Sequence, residues 1–151
     1  MPSIGDKLSG GTFFYSGATG GLIAANNDLP GSYYWGCYKT GITGTSTDVG
    51  TGQANTNLII TGCTTNVSIA ANMCNNAVID GYSDWYLPSK DELNYMYQQK
   101  SVIGDFSSID NYWSSSQYTP ECAWMQYFGS GVQSEKGDKD QLYKVRPIRT
   151  Y

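Results

Sequence analysis

The segment Asp84-Trp85-Tyr86-Leu87-Pro88-Ser89-Lys90-Asp91-Glu92-Leu93-Asn94 constrains this chain more than any other stretch. A proline disfavours helical geometry in the residue before it, so Trp85–Leu87 should run as extended chain. Ser89 can then cap a helix, and Glu92 three residues on completes a capping box. Asp91 and Glu92 fall in the electropositive first turn, and Lys100 near the electronegative end. Leu93, Met96 and Tyr97 share one side, and the spacing predicts a helix from Ser89 to about Gln99 with those three buried. Further scaffold-like motifs follow at Tyr112-Trp113-Ser114-Ser115-Ser116-Gln117-Tyr118, Ala123-Trp124-Met125-Gln126-Tyr127-Phe128 and Val145-Arg146-Pro147-Ile148-Arg149. They bracket two stretches of small, mixed polar residues, 117–122 and 129–144. A fixed frame presenting a recognition surface fits that layout better than a catalytic cleft.

Upstream, Thr12–Tyr15 and Leu22–Ala25 flank a glycine-containing turn and read as a hairpin. Tyr33–Tyr38 and Asn57–Ile60 are two further strand candidates, separated by a loop over 41–52 rich in Gly, Thr and Ser. Val67, Ala70, Ala71, Cys74 and Val78 mark one face of a helix over about 66–78. Asn66-Val67-Ser68 is formally a glycosylation sequon, but Asn66 or Thr65 as a helix cap is the preferred reading. After Gly104 the pattern is all-β, with Trp113, Trp124, Phe128, Val145 and Ile148 as core candidates. Trp113, Trp124 and Tyr112 are read as core rather than as sugar-stacking platforms. In 123–128, Trp124, Gln126 and Phe128 share one face, and Met125 and Tyr127 the other. Arg146 or Arg149 should be tied to a carboxylate of the 84–92 segment, because arginine is seldom buried unpaired.

A length of 151 residues suits one domain with one sizeable core. Charged residues make up only 15%, whereas Gly (18) and Tyr (13) are abundant, which describes a loop-rich domain with a polar, uncharged surface. The net charge of −4 and the acidic residues interrupting Lys136, Lys139, Lys144, Arg146 and Arg149 speak against a nucleic-acid partner. No apolar run approaches the roughly 18 residues that cross a bilayer, so no membrane insertion is expected. Met1-Pro2-Ser3-Ile4 lacks the basic start and apolar core of a signal peptide. Export by another route, for example inside a virion, and a start within a longer protein both remain open.

The chain has no histidine, which removes the commonest general base near neutral pH and with it Ser/His/Asp and Cys/His sites. Paired carboxylates of the glycosidase kind are possible in principle. Capping and ion pairing are the preferred roles for Asp84, Asp91 and Glu92. Gly50-Thr51-Gly52 is followed by no lysine and reads as turns, not as a phosphate loop. Cys37, Cys63, Cys74 and Cys122 are spaced by 26, 11 and 48 residues, which matches no zinc pattern. Burial as small apolar residues is the preferred reading, a disulfide within Cys37, Cys63 and Cys74 the next, and a metal site the last. No cofactor and no metal are expected, and the chain is expected not to be an enzyme.

The four motifs, with Gly10-Gly11-Thr12-Phe13-Phe14-Tyr15 and Gly50-Thr51-Gly52-Gln53-Ala54-Asn55-Thr56, resemble the family named after the C-terminal domain of bacterial collagen-like surface proteins. That resemblance covers most of the chain. It implies an α+β, C-type-lectin-like fold over residues 1–151: two helices packed on one side of antiparallel sheets, the N-terminal hairpin beside the C-terminal strand, and a loop-rich C-terminal half. It makes Trp124, Gln126 and Phe128 framework positions, so Met125 and Tyr127 point outward. Calcium-dependent lectins of this class use Glu-Pro-Asn-like and Trp-Asn-Asp-like segments, and neither occurs here. Formylglycine-generating oxidases of this class use reactive cysteines, and Cys122 has no partner nearby in sequence. The 117–144 segment is similar to variable segments diversified by phage and bacterial retroelements, and its Tyr, Ser and Gln suit an adaptable binding surface. The expectation is a single face built by Tyr118, Glu121, Met125, Tyr127, Ser130, Ser134, Gln141 and Tyr143. The function expected of it is non-catalytic recognition of a cell-surface protein or glycan, by a phage tail-associated, receptor-binding or diversified protein. A bacterial adhesin head, possible as a homotrimer on a collagen stalk, is the alternative, and either would place the protein on a virion, outside the cell or on its surface.

Overall fold

In the computed structural model, which describes residues 1–18 and 20–151, the chain forms two antiparallel sheets and four short helices. Thr19, in the expected hairpin turn, lies outside the described residues. The first sheet has the order β1–β2–β3–β7, built from Lys7–Leu8, Gly11–Gly17, Gly20–Ala25 and Ile148–Thr150. The second has the order β4–β5–β6, built from Asn111–Gln117, Cys122–Tyr127 and Gln133–Asp138. The helices are α1 (Gly52–Gly62), α2 (Ala70–Asn76), α3 (Lys90–Gln98) and α4 (Lys100–Ile103).

The β2–β3 hairpin is buried on both faces, and side-chain alternation assigns each face to a different core cluster. Ile23 and Ala25 pack with Phe13 and Trp85. Leu22 and Ala24 pack with Phe14, Tyr86, Leu93 and Ile148. The C-terminal strand joins as expected, with Ile148 opposite Ala24 and Thr150 opposite Leu22. The extended Trp85–Leu87 approach docks on it through the Tyr86–Ile148 bridge.

The corner at residues 88–92 forms as its sequence requires. Ser89 is extended and its Oγ accepts from the Glu92 amide at 3.3 Å. Glu92 Oε1 accepts from the Ser89 amide at 2.8 Å, and Oε2 from the Gly50 amide at 3.0 Å. Leu93 and Met96 are buried, while Tyr97 is half-buried, with its ring edge-on to Phe128. A Cβ on Gly52 would collide with Glu92 Oε1, so the glycines of 50–52 serve the approach of the loop to the helix cap. Three buried serines fasten the same region. Ser114 Oγ donates to Trp124 O, Ser115 Oγ accepts from Asn55 Nδ2, and Ser116 Oγ donates to Ser46 O.

Several expectations need correction. Asn57–Ile60 belongs to α1 and not to a strand; a run of three apolar residues does not separate the two by periodicity. Tyr33–Tyr38 makes one bridge, Tyr33 to Tyr143, and then turns away because Gly36 and Cys37 have φ of +95° and +52°. The helix expected over 66–78 is Ala70–Asn76, preceded by extended Ile69 with no side-chain cap. Asn66 Oδ1 accepts from the Ser68 amide and tightens a turn instead. Val67 and Val78 are exposed, whereas Ala70, Ala71 and Cys74 are buried as expected. The helices do not share one side of a sheet. α2 joins the cluster containing Trp113, and α3 the cluster containing Tyr112. Tyr112 and Trp113 are neighbours on β4 and face opposite ways.

Cys37 and Cys63 form a disulfide, while Cys74 and Cys122 are free. The preferred reading of the cysteines as buried apolar residues therefore fits Cys74, and the disulfide reading fits Cys37 and Cys63. Burial pushes the Cys74 thiol up, out of reach of ionisation near neutral pH.

Candidate recognition surface

Framework side chains hold the second sheet to α3. Gln126 Nε2 donates to Asn94 Oδ1 and to Gly131 O, both at 2.9 Å. Gln133 Nε2 donates to Lys90 O at 2.8 Å. Trp124 lies on this α3 side but is only half-buried, with Lys90 Nζ 4.7 Å from its ring centroid. The expectation that Trp124 is core is thus corrected: the Lys90 ammonium stands over the indole, which stays partly open to solvent.

The eight predicted site residues separate into three groups. Tyr118, Glu121 and Gln141 are exposed at the β4–β5 hairpin end. The Tyr118 ring meets Trp124 edge-on at 5.8 Å. Met125, Ser134 and Tyr143 lie on the other face and are half-buried. Met125 stands opposite Trp113 and Ser134 in the ladder, and it packs against the core cluster that contains Trp113. The Tyr143 ring sits 4.5 Å from that of Trp113. Tyr127 and Ser130 are exposed at the far end of the sheet, about 17 Å along the strand. The single continuous face is therefore corrected. Alternation along β5 is as expected, but the side opposite the framework residues is a second core face at Ala123 and Met125, and reaches solvent only at Tyr127.

Residues outside the predicted set enlarge the hairpin-end group. The 36–40 loop is pinned beside it, since Lys39 N donates to Pro120 O at 3.0 Å, Lys139 N to Glu121 O at 2.9 Å and Gly36 N to Lys139 O at 3.4 Å. Tyr38 is half-exposed there, and its phenol is raised by desolvation, then by Asp140, Asp138 and Glu121. Next to it a cleft of about 430 Å3 lies between Tyr34, Tyr38, Thr64, Asn66 and Asp140. Lys139 is buried under this end, with Nζ donating to Thr40 O at 3.0 Å and Gln117 Oε1 at 2.7 Å. Its ammonium stands 4.5 Å from the Trp35 ring centroid, and desolvation pushes it down to about 8. Tyr34 and Tyr38 were read as strand residues, so their exposure was missed. The signal for it was Gly36, whose positive φ breaks the strand.

Among the described residues no group of three or more His, Cys, Asp or Glu could hold a metal ion. Among the same residues no helix is long and apolar enough to cross a membrane. The model of the Lcl C-terminal domain matches residues 34–149, most of the chain. The chain belongs to the Lcl C-terminal domain family. In this Lcl C-terminal domain the matched stretch includes both the 84–94 corner and the hairpin end. The fold is also similar to part of a fimbrial protein from Bacteroides ovatus ATCC 8483, at 13% identity and a TM-score of 0.59. The match covers 87% of this chain and 36% of that one, so the chain spans about a third of the fimbrial protein's length. No curated protein matches the chain.

Proposed function

We propose that this domain is a non-catalytic recognition head of an adhesin-type surface protein, binding a protein or glycan on a cell surface. The observation that carries the reading is the hairpin end. There Tyr118, Glu121 and Gln141 are exposed on backbone that is hydrogen-bonded to the 36–40 loop through Pro120 O and Lys139, and that loop, which carries Tyr38 and one wall of the cleft, is tied further by the Cys37–Cys63 disulfide. Exposed aromatic side chains on a backbone held in place before binding suit a recognition surface, because little ordering opposes association. Membership of the Lcl C-terminal domain family and the likeness to a fimbrial protein support a surface role. A C-type-lectin-like arrangement is the fold assignment that accompanies this reading. No reaction is assigned, in keeping with a chain that lacks histidine.

A phage tail-associated or retroelement-diversified protein is the second reading, favoured by one feature. Framework Gln126 and Gln133 are tied to α3, whereas Tyr118, Tyr127, Ser130 and Gln141 between and beside them are free to vary without loss of the frame. A homotrimer would follow from mounting on a collagen-like stalk. The test is attachment of the fluorescently labelled domain to a panel of bacterial and animal cells. Saturable attachment lost in Tyr118→Ala/Tyr38→Ala, with the fold intact, supports the reading. Equal attachment by that variant removes the hairpin end as the surface.

A further inference from the structure

The cleft beside Tyr38 has the size of a ligand site, about 430 Å3. Its chemistry is unusual for a surface dimple. Tyr34 and Tyr38 line it and are 41% and 42% exposed; Lys39 Nζ stands 5.4 Å from the Tyr38 ring centroid, and much of both rings stays open to solvent. Thr40, Thr64 and Thr65, all exposed, also line it. Asn66 uses its amide oxygen on the Ser68 amide, which leaves its NH2 group to donate. Aromatic faces beside exposed hydroxyl, amide and carboxylate groups match a ring with apolar C–H faces and equatorial hydroxyls.

Charge narrows the class. The Asp140 carboxylate belongs to the cleft, with Asp138 and Glu121 close enough to bear on Tyr38. A sulfated or carboxylated ligand would meet these three acids, and the Lys39 ammonium, 5.4 Å from the Tyr38 ring centroid, offsets only one of them. The Lys139 ammonium lies below, and neither of its acceptors, Thr40 O and Gln117 Oε1, is a carboxylate. A ligand ammonium would meet that positive charge in a partly desolvated setting, where repulsion is costly. An uncharged ligand meets neither penalty. The walls are also held in advance of binding. The disulfide joins Cys37 to Cys63, Tyr34 O accepts from the Ala70 amide, and Lys39 N donates to Pro120 O. Little ordering is left to oppose association.

We infer that this cleft is a subsite for one uncharged sugar ring of a cell-surface glycan, stacked against Tyr34 and Tyr38 and hydrogen-bonded by Asp140, Asn66 and the threonine hydroxyls. The inference rests on the recognition reading above. Its test is NMR titration of the intact chain with methyl glycosides of glucose, galactose, mannose, fucose and N-acetylglucosamine, beside a heparin disaccharide. At least one neutral glycoside should shift Tyr34 and Tyr38 signals saturably, with affinity falling about tenfold or more in Tyr38→Ala. Tyr38→Phe, which keeps the ring, should retain most of the affinity. The heparin disaccharide should leave those signals unmoved. Failure of every neutral glycoside at those signals, or preferential binding of the sulfated one there, overturns the subsite. Cell attachment without any neutral-glycoside response removes the subsite and leaves the recognition reading standing. Glycoside binding without attachment to any cell keeps the subsite and removes the adhesin reading.

Discussion

Lys139 ends its side chain between the Thr40 carbonyl and the Gln117 amide oxygen, and burial there favours the neutral amine. In the unfolded chain the group keeps its ordinary value of 10.5, against about 8 when folded. Between those values the unfolded state holds a proton that the folded state has released, so stability rises with pH across that window. Below about pH 8 both states are protonated and the penalty is constant. The stability of the wild type relative to Lys139→Met should therefore climb from pH 8 to 10, measured by urea denaturation at each pH; a flat difference would mean that Lys139 stays charged. Glu92 poses a different problem. Its two oxygens accept from two backbone amides, Ser89 and Gly50. Glu92→Gln supplies one oxygen and one NH2 group, so one buried amide faces a donor. A loss of about 1–3 kcal/mol is expected in denaturant titration. The pairing of Arg149 with Asp84, bidentate at 2.7 and 3.0 Å, was legible because both belong to motifs with evident roles. Arg146 pairs instead with Asp28, 118 residues away in an irregular segment that no pattern marked.

Helix α1 escaped sequence reading because its inner side is largely polar. Asn55, Thr56, Ile59 and Cys63 are buried at helical spacing, but only Ile59 and Cys63 register as apolar. The polar pair is tolerated inside because it is hydrogen-bonded: Asn55 joins Ser46 and Ser115, while Thr56 bonds Gly52 O and the Leu87 amide. Helix α3 was legible because its capping box is local and its buried face apolar. The 36–40 loop carries no such signal, and it takes its position from a covalent tie to the end of α1. That disulfide closes a loop of 26 residues, for which chain entropy gives about 3.5 kcal/mol. Cys37→Ala/Cys63→Ala should lower the thermal midpoint and weaken ligand binding together. Wild type in dithiothreitol should fall to the same midpoint, while the double variant should be insensitive to the reductant. A double variant that melts with the wild type would show that hydrogen bonds to Pro120 and Lys139 hold the loop unaided.

At the scale of the whole molecule, the frame was readable and the surface proposed for binding only in part. Periodicity tells which side chains share a strand face, but it does not say what lies beyond that face. Met125 and Tyr127 illustrate this, since the face they share runs from core to solvent within three residues, Ala123 to Tyr127. Tyr118, Glu121 and Gln141 were correctly read as exposed, yet their neighbours Tyr34 and Tyr38 come from a segment about eighty residues earlier, brought in by the sheet and the disulfide. Stability and binding should therefore separate along the molecule. Met125→Ala removes a side chain packed on the core cluster with Trp113 and should cost about 1–2 kcal/mol. For a domain of this size each kcal/mol lowers the melting temperature by about 2–4 °C. Tyr38→Ala/Tyr118→Ala truncates two exposed rings and should leave the melting temperature within about 2 °C of wild type. The cell-attachment assay should invert that order, with Met125→Ala attaching as wild type at temperatures where it stays folded and the tyrosine pair failing to attach. If Met125→Ala instead abolishes attachment with an unchanged melting temperature, the binding surface lies on the β5–β6 face, and the hairpin end is scaffold.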